Sequence, residues 1–306
     1  MAASGGTRAV VAALFANLGI AVAKFAGFLI TRSSSMLAEG VHSIADSTNQ
    51  ALLLLGGRRS RRPATTEHAF GFARERYFWS FVVSVVLFTL GSAFAFYEGI
   101  DKLRHPHEMK GLGWAIGILL MAIVLEGWSF RTAVIESNRL RGPTSWGHFV
   151  RHTKHPELPV VLLEDLGALV GLVIALVAVT LAEVTGEPRW DGAGTLVIGL
   201  LLGVIALVLA REMKSLLIGE SAGPRDQRAI VEAIESAPAT RRIIHLRTQH
   251  LGPNEILVAV KVLFDATLDT AGVAAAIDDV ETRVRAVVPD AHPMYVEPAL
   301  EQPLVD

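Results

Sequence analysis

Residues 192–210 read GAGTLVIGLLLGVIALVLA, a run without a single charge. The hydrocarbon core of a bilayer is about 30 Å thick, and an α-helix crosses it with roughly 20 apolar residues. The run predicts a membrane-spanning helix, the sixth of the chain at 191–211. Five further windows qualify, at 9–31, 35–56, 77–100, 112–131 and 158–183. Small residues recur four apart inside them: Gly19, Ala23 and Gly27 in the first, Gly199 and Gly203 in the sixth. That spacing lets helix backbones approach closely in lipid.

The composition points the same way. Of 306 residues, 51% are hydrophobic and 19% charged, and the net charge of −2 leaves no nucleic-acid footprint. There is no cysteine, which excludes disulfides, thiolate metal sites and cysteine nucleophiles together. Any metal must be held by His, Asp, Glu or backbone oxygens. The first apolar run, Ala9 to Ile30, is too long for a signal-peptide core and contains Asn17 and Lys24, so no cleavable signal is expected.

Lysine and arginine in the loops set the orientation. Arg58, Arg59, Arg61 and Arg62, then Arg139, Arg141, Arg151 and Lys154, then Arg211 and Lys214 mark one side. The other side carries only Arg32, then Lys102, Arg104 and Lys110, then Arg189. The richer side is read as cytosolic, with both termini on it and the cytoplasmic (inner) membrane as the host bilayer. Past Gly219 the composition becomes that of a soluble module. Helical periodicity at Pro224–Ser236, strands at Arg241–Thr248 and Glu255–Phe264, a second helix at Thr270–Val288 and a third strand at Met294–Val296 give the order α-β-β-α-β. The expected fold is a polytopic α-helical membrane protein: a six-helix transmembrane bundle over 1–219 and a small cytosolic α+β domain over 220–306.

An ionisable residue inside a membrane helix is a functional hypothesis in itself. The second window holds Glu39, His42, Asp46, Asn49 and Gln50, at i, i+3, i+7, i+10 and i+11, which fall on one stripe of a helix. His42 and Asp46, four apart, can reach one ion from one helix. Asn49 and Gln50 read as hydrogen-bonding packing residues, and Glu39, nearer the outer end, as a further ligand or a hydrated group. The fifth window holds Glu164 and Asp165, adjacent carboxylates that repel and need a cation, protons, or Lys24 as a salt-bridge partner. One imidazole with two or three carboxylates suits tetrahedral zinc, with Co, Ni, Cd, Fe(II) and Mn left open. Glu126 reads as a partner of Arg131 or as a packing polar group. His68 is a solvated loop residue or an entrance ligand. His148, His152 and His155, at i, i+4 and i+7, read as one face of a basic surface helix or a metal-collecting cluster.

Three stretches carry a resemblance: SSSMLAEGVHSIAD at 33–46, HAFGF at 68–72 and LPVVLLED at 158–165. Together they resemble the cation diffusion facilitator family, the third stretch resembling its zinc-transporter-nine branch. The resemblance implies a homodimer, proton-coupled metal export, and a cytosolic domain of ferredoxin-like fold that helps to dimerise. It also implies four ligands, two from the second helix and two from the fifth. His42, Asp46 and Asp165 match three of them, and the fourth position falls on Val161. Glu164 lies about 60° from Val161 around the helix and is the natural substitute. The ligand positions that the family often has in the soluble domain fall near Val260 and Tyr295, leaving His245, His250, His292 and Glu297 as the remaining candidates, and no metal site is expected there.

The expected activity is efflux of a divalent cation, zinc foremost, by alternating access with protons competing for the ligands. No cofactor is expected, zinc being cargo; the partners are the metal ion, protons, the lipid bilayer and a second copy of the chain. The competing readings are a membrane metal sensor or scaffold without transport, and an intramembrane metallohydrolase. The latter needs a motif such as His-Glu-x-x-His, which does not occur, so an enzyme is not expected.

Overall fold

The computed structural model describes residues 3–31, 34–106 and 112–299; the side chains of 3–5, 27, 28, 30, 31, 34–42, 45, 87–89, 112, 114 and 115 fall outside that description. The described chain divides into two compact units, Met1–Arg62 with Glu75–Lys214, and Pro63–Arg74 with Ser215–Asp306.

The first unit is helical. Its elements are α1 (Ala3–Thr31), α2 (Ser34–Arg59), α3 (Glu75–Val86), a π-helical turn (Leu87–Ser92) running into α4 (Ala93–Arg104), α5 (Leu112–Arg141), the short α6 (Trp146–His152), α7 (Glu157–Thr185) and α8 (Arg189–Ile218). Among the described residues, five stretches are long and apolar enough to cross a membrane: Gly6–Ala26, Glu75–Arg104, Ile116–Arg141, Glu157–Thr185 and Arg189–Ile218. The 26-residue α2 is as long but carries the polar stripe. With α3, the π turn and α4 as one rod, the predicted six membrane-length helices are present.

Several rods overrun their apolar windows. α5 continues ten residues past 131 to Arg141, because a helix stops where its backbone hydrogen bonds stop and not where lipid does. Gly142 ends it with φ 59°, and Gly186 ends α7 with φ 68°, the left-handed conformation that closes a helix C-terminus at low steric cost.

α1 packs on α2, α5 and α7, and α5 packs on α7. α8 meets α4 through glycines. A Cβ at Gly199 would lie 3.2 Å from both Ala95 Cβ and Phe96 N, and one at Gly99 would lie 2.8 Å from Leu196. Ser92, at the end of the π turn, donates to the Gly199 carbonyl at 2.8 Å. Lys102 pairs with Asp191 at 2.9 Å and Glu98 at 3.2 Å, closing the same seam. At the arginine-rich end, Arg76 pairs with Glu157 of α7 at 2.7 Å and donates to Ser60 Oγ at 3.1 Å. A Cβ at Gly6 would lie 2.7 Å from Glu157, so α1 closes on the same pair.

The second unit holds α9 (Pro224–Glu235), β1 (Thr240–Gly252), β2 (Glu255–Phe264), α10 (Thr270–Val287) and β3 (Met294–Ala299), in the predicted order. The sheet runs β1-β2-β3, with β1 antiparallel and β3 parallel to the central β2. On β2, Ile256, Val258, Val260 and Val262 are buried in alternation, the period-2 signature of a strand with one face on a core. They meet Ile230 and Ile234 of α9 and Val280 and Val284 of α10. A three-stranded sheet covered by two helices meets the usual requirement for independent stability. Expressed from residue 215, this domain should unfold cooperatively in urea. Ile234→Ala should lower its stability by about 3 kcal/mol, the usual cost of truncating a fully buried isoleucine. A melting temperature raised strongly by micromolar zinc would instead show that metal is part of its fold.

Candidate metal site

Of the stripe predicted on α2, Asn49 and Gln50 face inward and Asp46 is half-buried. Ser43, Ser47, Asn49, Gln50 and Leu53 are buried, while Ile44 and Thr48 on the opposite side are exposed. The side chains of Glu39 and His42 lie outside the described residues. α7 contributes Glu164 and Asp165, 7% and 2% exposed. Neighbours in sequence, they project about 100° apart and so take different partners.

Glu164 is gripped from α2. Asn49 Nδ2 donates to its Oε1 at 3.1 Å and Gln50 Nε2 to its Oε2 at 3.0 Å. Gln50 is braced in turn by Asn17 of α1, whose Nδ2 donates to Gln50 Oε1 at 3.3 Å. All four side chains are buried. Asn49 Oδ1 is buried with no hydrogen-bond partner among the described residues. Asp165 faces α5, where Ser129 Oγ donates to its Oδ2 at 2.6 Å.

One turn before Ser129 on the same helix is Glu126, 6% exposed and within electrostatic range of Asp165, Asp46 and Lys24. Its expected partner Arg131 is exposed and takes no part. Three and five residues apart on a helix, Glu126 and Ser129 share a face whereas Glu126 and Arg131 do not. Lys24 of α1 donates to Ser43 Oγ at 3.1 Å. Glu126, Ser129 and Asn17 are the residues that sequence reading passed over. The signal for Glu126 was present, as the one acid within the 112–131 window. Ser129 and Asn17 are common helix residues with nothing in the sequence to set them apart.

The interior therefore gathers Asp46, Glu126, Glu164 and Asp165 from three helices, with Lys24 as the nearby cation. Val161, at the position where the family's fourth ligand would stand, is fully buried. Among the described residues no three His, Asp or Glu side chains converge on one point that a metal ion could fill. The Glu164 oxygens are turned to two carboxamides, and an Asp165 oxygen to a hydroxyl.

Elsewhere, His148 and His152 stack on α6 with ring centroids 4.1 Å apart, both exposed, and His155 follows after the helix has ended. His68 stacks on Phe72 at 4.6 Å. In the soluble unit Val260 is buried in the core and Tyr295 is exposed. Glu297 accepts a hydrogen bond from Lys261 at 2.8 Å, which holds its carboxyl below the usual range. His250 is buried against the Gly252 carbonyl, while His245 and His292 are exposed.

A family model described as the cation efflux transmembrane domain matches residues 10–218. A protein of Mus musculus named proton-coupled zinc antiporter SLC30A9, mitochondrial, is 34% identical over 250 residues, covering 81% of this chain and 44% of that one. The chain thus spans less than half the length of that relative. Metal tolerance protein C4 of Arabidopsis thaliana is 27% identical over 263 residues, 85% of this chain and 58% of its own. Cation-efflux pump FieF of Pectobacterium atrosepticum is 28% identical over 286 residues, 93% of this chain and 90% of its own.

Ser129 orients the carboxylate most deeply buried in the site, and such outer partners usually carry a tenfold or larger share of metal affinity. Ser129→Ala should weaken zinc binding about tenfold by calorimetry on the purified protein. An unchanged dissociation constant would show that Asp165 holds its place without Ser129.

Proposed function

The chain belongs to the cation efflux family, and on that footing we propose that it exports divalent metal ions, zinc foremost, across a membrane in exchange for protons. The observation that carries this reading is the presence of buried Glu126, Glu164 and Asp165, with half-buried Asp46 in electrostatic range of Glu126, inside a bundle of membrane-length helices. Carboxylates at that depth are costly unless they meet a cation or a proton, and a path for cations is the usual reason they are kept.

His42, Asp46 and Asp165 are the ligands we assign, with Glu164 as the fourth in place of Val161 and Glu39 as an outer group. One imidazole among carboxylates favours zinc over manganese and magnesium. The ion enters at the arginine-rich, cytosolic end, and rocking of the helices opens the site to the far side. Protons arriving there compete for the same groups, since a bound ligand must be deprotonated. A free imidazole titrates near 6.5, and on that ground His42 is the group we assign to proton exchange around neutrality. The C-terminal unit is the cytosolic part through which two copies associate, both termini lie in the cytosol, and the host membrane is the cytoplasmic one. Zinc and proton exchange is what the names of the SLC30A9 relatives describe, and this chain's share of the reaction is measured by flux.

In vesicles loaded with a zinc indicator and given a pH gradient, the wild type should carry zinc. Asp46→Ala and Asp165→Ala should each abolish flux at normal expression. Zinc bound without flux would make the protein a sensor or scaffold instead. His42→Asp makes the ligand set all-oxygen and should move the flux order toward manganese and cadmium. It should also flatten the pH dependence between pH 6 and 7, the range in which a free imidazole titrates. An unchanged metal order together with an unchanged pH profile would remove His42 from the site.

A further inference from the structure

The grip on Glu164 is asymmetric. Gln50 is fixed at both ends of its carboxamide, donating to Glu164 and accepting from Asn17. Asn49 is fixed at one end only, because its Oδ1 is buried without a partner among the described residues. A buried carboxamide satisfied at both ends resists rotation, since turning it breaks two hydrogen bonds in a low-dielectric interior. One with an orphaned oxygen loses a single bond and has already borne the desolvation of the other atom. Asn49 also stands three residues from Asp46 on the same helix face, and Glu164 stands next to Asp165. The Oε1 side of Glu164 is thus held by the weaker of its two donors.

We propose that Gln50, braced by Asn17, is a positioning residue that anchors Glu164 Oε2, and that Asn49 is the donor that gives up Oε1 to the arriving metal ion. This rests on the metal-export reading and deepens it, by assigning which of two neighbouring carboxamides builds the site and which competes with the ion for it. In the metal-free site Asn49 caps the carboxylate; on binding, the ion takes the oxygen that Asn49 leaves. The two residues then act on zinc affinity with opposite signs, and both act only through Glu164.

The test is a double-mutant cycle on the full-length protein in lipid nanodiscs, reading the zinc dissociation constant by calorimetry. Asn49→Leu removes the competitor and should tighten zinc binding about tenfold, the weight of one hydrogen bond to a charged group. Gln50→Leu removes the anchor and should weaken it about tenfold. In a Glu164→Gln background both effects should disappear. Effects of the same sign, or effects that persist without the Glu164 carboxylate, would overturn the assignment and leave both residues as packing groups. Should Gln50→Leu fail to fold, Asn17→Ala removes the brace without touching Glu164 and should weaken binding in the same Glu164-dependent way; tightening, or no change, would again overturn it. Vesicle flux by the wild type is read in parallel. Its absence would sink the export reading, while a cycle with opposite signs would still establish the two roles in binding.

Discussion

Carboxylates buried where water cannot follow must be compensated by the protein, and the first unit is arranged around that necessity. Glu164 is answered by the dipoles of Asn49 and Gln50, and Asp165 by the hydroxyl of Ser129. Neutral donors of this kind lower the cost of a buried negative charge without cancelling it. The group stays attractive to a cation, whereas a full salt bridge would have satisfied it. Lys24 of α1 lies nearby and donates to Ser43. Hydrogen-bonded but not neutralised is the condition a transient cation site requires.

This requirement divides the helices into two sets. α1, α2, α5 and α7 supply every polar group of the site, and they pack on one another so that those groups meet. The rod of α3 and α4 and the helix α8 supply none of them. Their seam is made of glycine, of the Ser92 bond to the Gly199 carbonyl and of Lys102 between Glu98 and Asp191. Lipid offers no hydrophobic drive to join helices, so close backbone approach and hydrogen bonds do that work. At the arginine-rich end, one part-buried ion pair between Arg76 and Glu157 gathers α1, the end of α2, α3 and α7. A pair of this type leaves a buried uncompensated charge if either member is lost, which makes it a specific register for the helix ends.

The second unit obeys different physics. Its stability comes from alternate burial along β2 against two amphipathic helices, in water. Val260, one residue near which the resemblance places a ligand, is part of the core, and Tyr295, the other, is exposed. Its remaining acid of interest, Glu297, is engaged by Lys261. Packing supports this fold, and it uses none of the chemistry of the membrane unit.

The sequence by itself determined the elements. Six membrane-length helices, the α-β-β-α-β order and the inward placement of Asn49 and Gln50 on α2 were legible, because apolar length and periodicity are local properties that the solvent reads directly. It also determined that Asp46, Glu164 and Asp165 are special, since a charge within an apolar run announces its own cost. What only the tertiary structure decided is who answers each charge. Asn49 and Gln50, read as packing residues, are more than 110 positions from the Glu164 they hold. Glu126 looked toward Arg131 in sequence and turns to Asp165 and Asp46 in space, because the helical period places it on the face that α5 packs against α7. Partnership across helices depends on their rotation and depth, which follow from the sum of all the packing contacts and are written in no single segment.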